Sequence, residues 1–215
     1  MTKILLSIFR RKTADLIADA LDFMYTPWPD NSNKYALRSQ LVELVGDYLF
    51  VAPSHEVAGI HSRVAPVYMY EFAHKPNFSI AEAEWQGVVH ADNVPFDFGV
   101  PFLPHLPWLY SAADRSVSLF IMTMYTNFAR SGDPSVSSVT WERFNSSHRA
   151  YLRVATNPNM AASFNPRRMA FWNDYYPKLT QVIFDTKKEV VSGANAIVTI
   201  GTVLQSLLIS TLLMF

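Results

Sequence analysis

The chain has 215 residues, half of them hydrophobic and 14% aromatic, so it can bury a sizeable core and is not a disordered polypeptide. Its net charge is zero, its pI is about 7.0 and it carries no basic block, which argues against a nucleic-acid partner. Cysteine is absent, so disulfides and thiolate metal sites are excluded, while the compartment stays open.

The apolar run from Ile4 to Phe9 is short, and Arg10-Arg11-Lys12 follows rather than precedes it, so it is no signal peptide. It is expected to open a helix that continues through Leu16, Ile17, Ala20, Leu21 and Met24, an apolar spacing of helical period. Leu37, Leu41, Leu44 and Val45 predict a short amphipathic helix ended by Gly46; residues 56–62 predict another, before the break at Pro66. From Val67 to Phe72 the residues are β-branched and aromatic and bounded by proline, which predicts a strand. His90 then falls on a loop between Gly87-Val88-Val89 and the polar step Asp92-Asn93. Beyond it, the prolines from Pro101 to Pro107 exclude long regular elements.

Val117, Phe120, Ile121, Met124, Tyr125 and Phe128 lie on one face of a long helix. Ser111 and Asp114 are spaced as its capping box, and Gly132 with Pro134 stops it. Residues 151–155 and 161–164, joined through Asn157-Pro158-Asn159, predict a hairpin. Pro166 suits the first turn of a further helix after Asn165, whose inner side would be Met169, Trp172, Tyr175 and Tyr176. No internal repeat is present. Two Asn-x-Ser triplets, at Asn77 and Asn145, are glycosylation candidates and weak pointers to secretion.

After Glu189 no charged residue appears, and the chain is apolar from Ile197 to its last residue. A glycolipid-anchor signal is the preferred reading: Ser192, Gly193 and Ala194 supply small anchor-site residues ahead of a terminal hydrophobic tail. A single membrane span competes, although no Lys or Arg follows it, and a buried helix is the third reading. The expected organisation is a domain over 1–184, a linker over 185–196 and a hydrophobic segment over 197–215.

Of six histidines, His55, His61, His74, His105 and His148 sit in no paired motif and read as ordinary surface or core residues. No pair has metal-ligand spacing, so no metal and no cofactor is expected.

The motifs around His90 carry a resemblance. The segment from Trp85 to Phe102, centred on His90-Ala91-Asp92, resembles the histidine loop of the type B carboxylesterase and cholinesterase family. Its His-Ala-Asp step is most similar to the bile-salt-activated lipase branch, where cholinesterases have His-Gly. Val45 to Pro53 is similar to the family's run before the helix that precedes the histidine strand, and Pro66 to His74 to that strand. Tyr125-Thr126-Asn127-Phe128-Ala129-Arg130-Ser131-Gly132-Asp133-Pro134 resembles the family's Asn-Phe-Ala-x-x-Gly-Asp-Pro signature, and Ala170-Phe171-Trp172 its C-terminal helix. Tyr25-Thr26-Pro27-Trp28 fits the opening of this half of the fold. Residues 14 to 182 are covered. Ala52 and Ala170, where cholinesterases carry or lie near cysteines, move the likeness towards lipases and carboxylesterases.

The resemblance implies an α/β fold, the C-terminal part of an α/β-hydrolase: edge strands with packing helices, an incomplete domain, and a C-terminal hydrophobic helix. It implies that His90 is the general base of a Ser–His–acid triad. In that superfamily the order is serine, acid, histidine, with the serine in a Gly-x-Ser-x-Gly elbow. None of the seven glycines here forms that elbow. The nucleophile and the acid are therefore expected outside this chain, which reads as the C-terminal portion of a larger protein. Asp92 and Asn93 are expected to shape the loop, and Asn93 is a departure, because the family usually has an acid there. An Asp47 contact with Arg167 or Arg168 is also implied.

Two functions follow. The first is a serine carboxylic-ester hydrolase acting on esters or lipids; the alternative is a non-catalytic, neuroligin-like adhesion protein of the same fold. The expected location is the extracellular face of the plasma membrane, glycolipid-anchored or single-pass, or secretion, with a signal peptide upstream. The membrane is a partner through the tail, and a homodimer is allowed.

Overall fold

The computed structural model describes residues 13–182 apart from Ile80, Glu82 and Pro107. The expected tail, the linker, the anchor-site residues 192–194 and the helix start at Ile4 all lie outside the described residues. The described residues divide into two compact units, one of residues 13–26 with 171–182 and one of residues 27–170.

In the first unit, α1 (Thr13–Tyr25) follows the apolar spacing: Leu16, Ile17, Ala20, Leu21 and Met24 are half-buried, while Asp15, Ala18, Asp19, Asp22 and Phe23 are exposed. A π-helical turn, Phe171–Tyr175, adds buried Phe171 and Trp172. The Trp172 indole N–H donates to the Tyr25 hydroxyl at 2.6 Å, which satisfies a polar atom inside an aromatic cluster.

The second unit begins with α2 (Lys34–Gly46), whose N-cap Asn33 accepts the backbone N–H groups of Tyr35 and Ala36. Gly46 was expected to end this helix as a stop. It instead keeps right-handed dihedrals, and the chain runs on through a π-helical turn, Asp47–Val51, into α3 (Ala52–His61). The Ala52 N–H reaches back to the Asp47 carbonyl. This widened turn falls just before Pro53, which has no N–H to donate. Asp47 is buried, and Arg168 binds it at 3.1 Å while also reaching Glu43 at 2.7 Å, so the implied pairing is met by Arg168. Consequently α3 starts earlier than the predicted Glu56.

The sheet is three-stranded, in the order β1 (Tyr70–Phe72), β2 (Ala150–Val154), β3 (Asn159–Ala162). β1 pairs parallel with β2, Tyr70 opposite Leu152, and β2 pairs antiparallel with β3, Leu152 opposite Met160. β1 is shorter than the expected Val67–Phe72. The Val67 carbonyl accepts the Phe144 N–H, and the Met69 carbonyl accepts the Trp141 indole N–H as well as the Leu152 N–H. β3 begins at Asn159, inside the expected turn, because its ladder registers Asn159 on Arg153.

α4 (Val94–Asp97) and α5 (Ala112–Ser131) complete the core. α5 has the expected capping box and ends at Gly132 in the left-handed conformation. Its inner face, Val117, Ile121 and Met124, packs with Phe96, Tyr110, Trp141, Leu152 and Val154. A last short helix, α6 (Pro166–Ala170), carries Arg168. Among the described residues no helix is long and apolar enough to cross a membrane. α2 and α3 leave Leu37, Leu41, Val42, Val57 and Ile60 exposed.

Candidate functional site

His90 sits in a turn and its side chain is exposed. The turn is built by Asp92, which is only 4% exposed. The Val89 N–H donates to Asp92 Oδ2 at 3.0 Å, and the Ser79 hydroxyl lies 2.9 Å from both carboxylate oxygens. Ser79 Oγ in turn accepts the Ala81 N–H. A buried carboxylate is tolerable only when it is hydrogen-bonded, and here the donors come from the loop itself and from a second segment. Asp92 thus ties the His90 turn to residues 79–81.

The other side of the loop is pinned through Phe96, which is fully buried and whose carbonyl accepts the Ser118 hydroxyl of α5 at 2.7 Å. Gly99 follows at φ +69, a left-handed conformation that favours glycine, and a Cβ there would meet the flexible Met122 side chain at 3.0 Å. Ala91 is different. It holds φ 74 with a side chain attached, next to the functional candidate. Left-handed backbone costs an alanine about 1 kcal/mol relative to glycine.

The His90 ring stacks on Phe50, centroids 4.3 Å apart and planes 15° apart. Among the described residues it makes no hydrogen bond and meets no carboxylate. His90 and Phe50 border an open, largely apolar groove of about 710 Å³ that also runs past Val45, Tyr70, Phe72 and Phe164. The groove therefore links the loop, the edge strand β1 and the uncovered side of α2.

Asn93 stands at the N-terminus of α4 and donates from Nδ2 to Asp97 Oδ2 at 2.7 Å. Position 93 thus carries no acid, and its amide is bonded to Asp97 one helical turn later. Burial raises the Asp97 pKa above the usual carboxylate range, while hydrogen bonding from Asn93 and Tyr125 pulls it the other way. Among the described residues Asp97 Oδ1 is buried with no partner in hydrogen-bonding geometry. Tyr125 in turn lies 2.7 Å, oxygen to oxygen, from Tyr70, and burial raises the pKa of both phenols.

The remaining histidines do other things. His74 is buried and lies 2.7 Å from Asp114, the capping acid of α5. Burial pushes the Asp114 pKa up, but donors from Ser111, His74 and Asn77 outweigh it and hold the carboxyl below its usual value. His55 is buried against Phe144 and Phe164, and burial, then the Arg149 charge, lowers its pKa. His148 pairs with Glu142 at an exposed position. Among the described residues no cluster of His, Asp and Glu could hold a metal ion.

Both candidate asparagines are exposed, but Ser79 of the first sequon is half-buried. Asn145 accepts three hydrogen bonds on Oδ1 from Ser147 and His148, whereas Asn77 donates from Nδ2 to the Leu109 carbonyl. Sequence reasoning missed Ser79, read there only as part of a sequon, and Phe50, which lies far from His90 in the chain. It also missed Asp114 as the acid on His74, although the capping box had singled out Asp114.

A family model described as "Carboxylesterase family" matches residues 2–172. Human neuroligin-2 is 31% identical over 185 residues, covering 77% of this chain and 22% of the relative. Mouse neuroligin-3 matches with the same identity and coverage. Acetylcholinesterase of Leptinotarsa decemlineata is 33% identical over 164 residues, 75% of this chain and 25% of its own length. The chain thus spans about a quarter or less of these relatives.

Proposed function

The chain belongs to the carboxylesterase family, and from that membership we propose that it supplies the general-base histidine, His90, of a serine carboxylic-ester hydrolase. The observation that carries this reading is the contrast in His90's setting: an exposed imidazole on a turn clamped by a hydrogen-bonded Asp92, at the rim of an apolar groove. In such an enzyme the imidazole takes the proton from a serine hydroxyl as the oxygen attacks the ester carbonyl. It returns that proton to the leaving alcohol, and water then releases the acyl group by the same route. A carboxylate must orient the other ring nitrogen. Asp92 is engaged instead by Ser79 and Val89, and among the described residues it makes no hydrogen bond to His90. The serine and the acid come from residues outside this chain, and the substrate class is carboxylic esters or lipids. The extracellular location and the tail anchor at residues 192–194 belong to the same proposal.

A second reading, a non-catalytic adhesion protein, is favoured by the neuroligin matches. One experiment separates the two. The chain is assembled with the N-terminal part of a family esterase that carries the serine and acid, and the complex is isolated by size exclusion. Turnover of a short-chain ester that disappears in His90→Ala supports the hydrolase. An isolated complex whose turnover is absent, or is indifferent to His90→Ala, supports the adhesion reading.

A further inference from the structure

The two Asn-x-Ser sequons are held in opposite ways, and we propose that they have divided roles: Asn145 is the N-glycan acceptor, while the Asn77 sequon is withheld in the folded chain because it is built into the scaffold of the His90 loop. The physiological setting rests on the extracellular placement proposed above; the chemistry at each asparagine does not.

At Asn145 every bond is local. Oδ1 accepts the Ser147 N–H at 3.1 Å, the Ser147 hydroxyl at 2.6 Å and the His148 N–H at 2.8 Å, partners two or three residues away. Such an Asx turn needs no tertiary structure, so folding neither creates nor removes it. Residues 145–148 are all exposed, and no acceptor takes the Asn145 Nδ2 hydrogens among the described residues. A bulky polar glycan on this turn stays in water and displaces no packed group.

At Asn77 the reactive amide and the sequon hydroxyl are both committed over long range. Nδ2 donates to the Leu109 carbonyl at 3.1 Å, 32 residues away, and the backbone N–H donates to Asp114 Oδ1, 37 residues away. The Ser79 hydroxyl is spent on Asp92, the carboxylate that shapes the His90 turn. Seating this sequon in a transferring enzyme would require releasing the amide from Leu109 and the serine from Asp92 together. That would free the segment from Leu109 and remove the Ser79 hydroxyl from the carboxylate that shapes the His90 turn.

The donor is a polyprenyl-diphosphate-linked oligosaccharide. Asn145 Nδ2 forms a bond to the anomeric carbon, the bond from that carbon to the diphosphate oxygen breaks, polyprenyl diphosphate leaves with the electron pair, and Nδ2 loses one proton. No oxidation or reduction is involved.

The test uses the purified full chain in its folded state, a single-subunit oligosaccharyltransferase and a synthetic polyprenyl-diphosphate chitobiose, read by intact mass and peptide mapping. The expected result is a mass increase of one glycan, mapped to Asn145 and lost in Ser147→Ala. Asn77 should be modified only after the chain is unfolded in denaturant and presented as a peptide. Transfer to Asn77 in the folded chain as fast as in the unfolded peptide would overturn the proposal. So would failure of Asn145 to accept a glycan in the folded chain, whether or not an isolated peptide spanning it is accepted. Neither outcome depends on ester turnover, so this inference and the hydrolase reading fail separately.

Discussion

His74 and His90 lie on either side of one loop and illustrate two uses of imidazole. His74 is 8% exposed, bound to Asp114 at 2.7 Å, and its other ring nitrogen lies 3.4 Å from the Thr156 hydroxyl. On paper that is a histidine–carboxylate pair ready for acid–base work. Its carboxylate, however, also caps α5 and accepts from Ser111 and Asn77, so the pair is spent on structure. His90 has the opposite setting: exposed and stacked on Phe50, with no other contact of that kind among the described residues, while its neighbour Asp92 does the structural work instead. Pairing with a carboxylate therefore does not by itself set an imidazole apart for acid–base work, because the same pair can be committed to structure.

Removing a capping carboxylate should break this contrast most severely. Asp114→Ala takes away an acceptor serving four donors and leaves His74 buried without its partner, so unfolding free energy should fall by about 3 kcal/mol or more. Chemical denaturation measures it. A loss as small as that of a surface substitution would show that the Asp114 corner is not the structural half of the pair.

The same carboxylate sets a pH dependence whose sign follows from its lowered pKa. The folded state holds the proton on Asp114 less tightly than the unfolded chain does. Its contribution is therefore complete above the ordinary carboxylate pKa of about 3.9 and is lost as pH falls through the lower folded value. Glu71 and Asp97 act in the other direction, since burial raises both, and their protonation relieves the folded state at higher pH. Asp114→Ala should flatten the acid limb of the stability curve below about pH 4, and Asp97→Asn should leave that limb in place.

How much of this was legible beforehand depends on the range of the interaction. The α5 helix, its Ser111–Asp114 cap and its Gly132 stop are local signals, and all three appear as read. So does the exposed turn at His90, set by short-range composition. The Arg168–Asp47 contact came from family resemblance, since no local pattern joins residues so far apart. The failures are tertiary. Val67 and Met69 look like strand residues, but their carbonyls accept from Phe144 and Trp141. Gly46 looks like a stop, but a buried, arginine-bound Asp47 and the π turn carry the helix past it. Ser79 clamping Asp92 and Phe50 under His90 depend on segments meeting in space, for which one sequence offers no signal.

A gentler probe sharpens the His90 side. Ala91 occupies φ 74, where glycine carries no steric penalty. Ala91→Gly should stabilise the chain by about 1 kcal/mol, less the extra freedom glycine gains in the unfolded state. If the variant is instead destabilised, the alanine methyl makes a contact that outweighs the strain, and the turn is held by packing rather than by Asp92.

The smallest stability effect should come from the residue to which function is assigned. His90→Ala removes an exposed ring whose stacking partner Phe50 is itself 43% exposed, so the change should stay within about 0.5 kcal/mol. Its reactivity should differ in the opposite sense. Diethyl pyrocarbonate needs an accessible ring nitrogen, and His90 is exposed, while both His74 nitrogens face Asp114 and Thr156 inside the fold. Peptide mapping after brief treatment should find His90 carbethoxylated well before His74, with the difference vanishing in denaturant. Equal rates in the folded chain would mean that the His74 corner opens as readily as the His90 turn, and the division between a structural and an available histidine would fail. A slow His90 would mean that Phe50 and its surroundings shield the ring, and the general-base assignment would then lose the accessibility on which it stands.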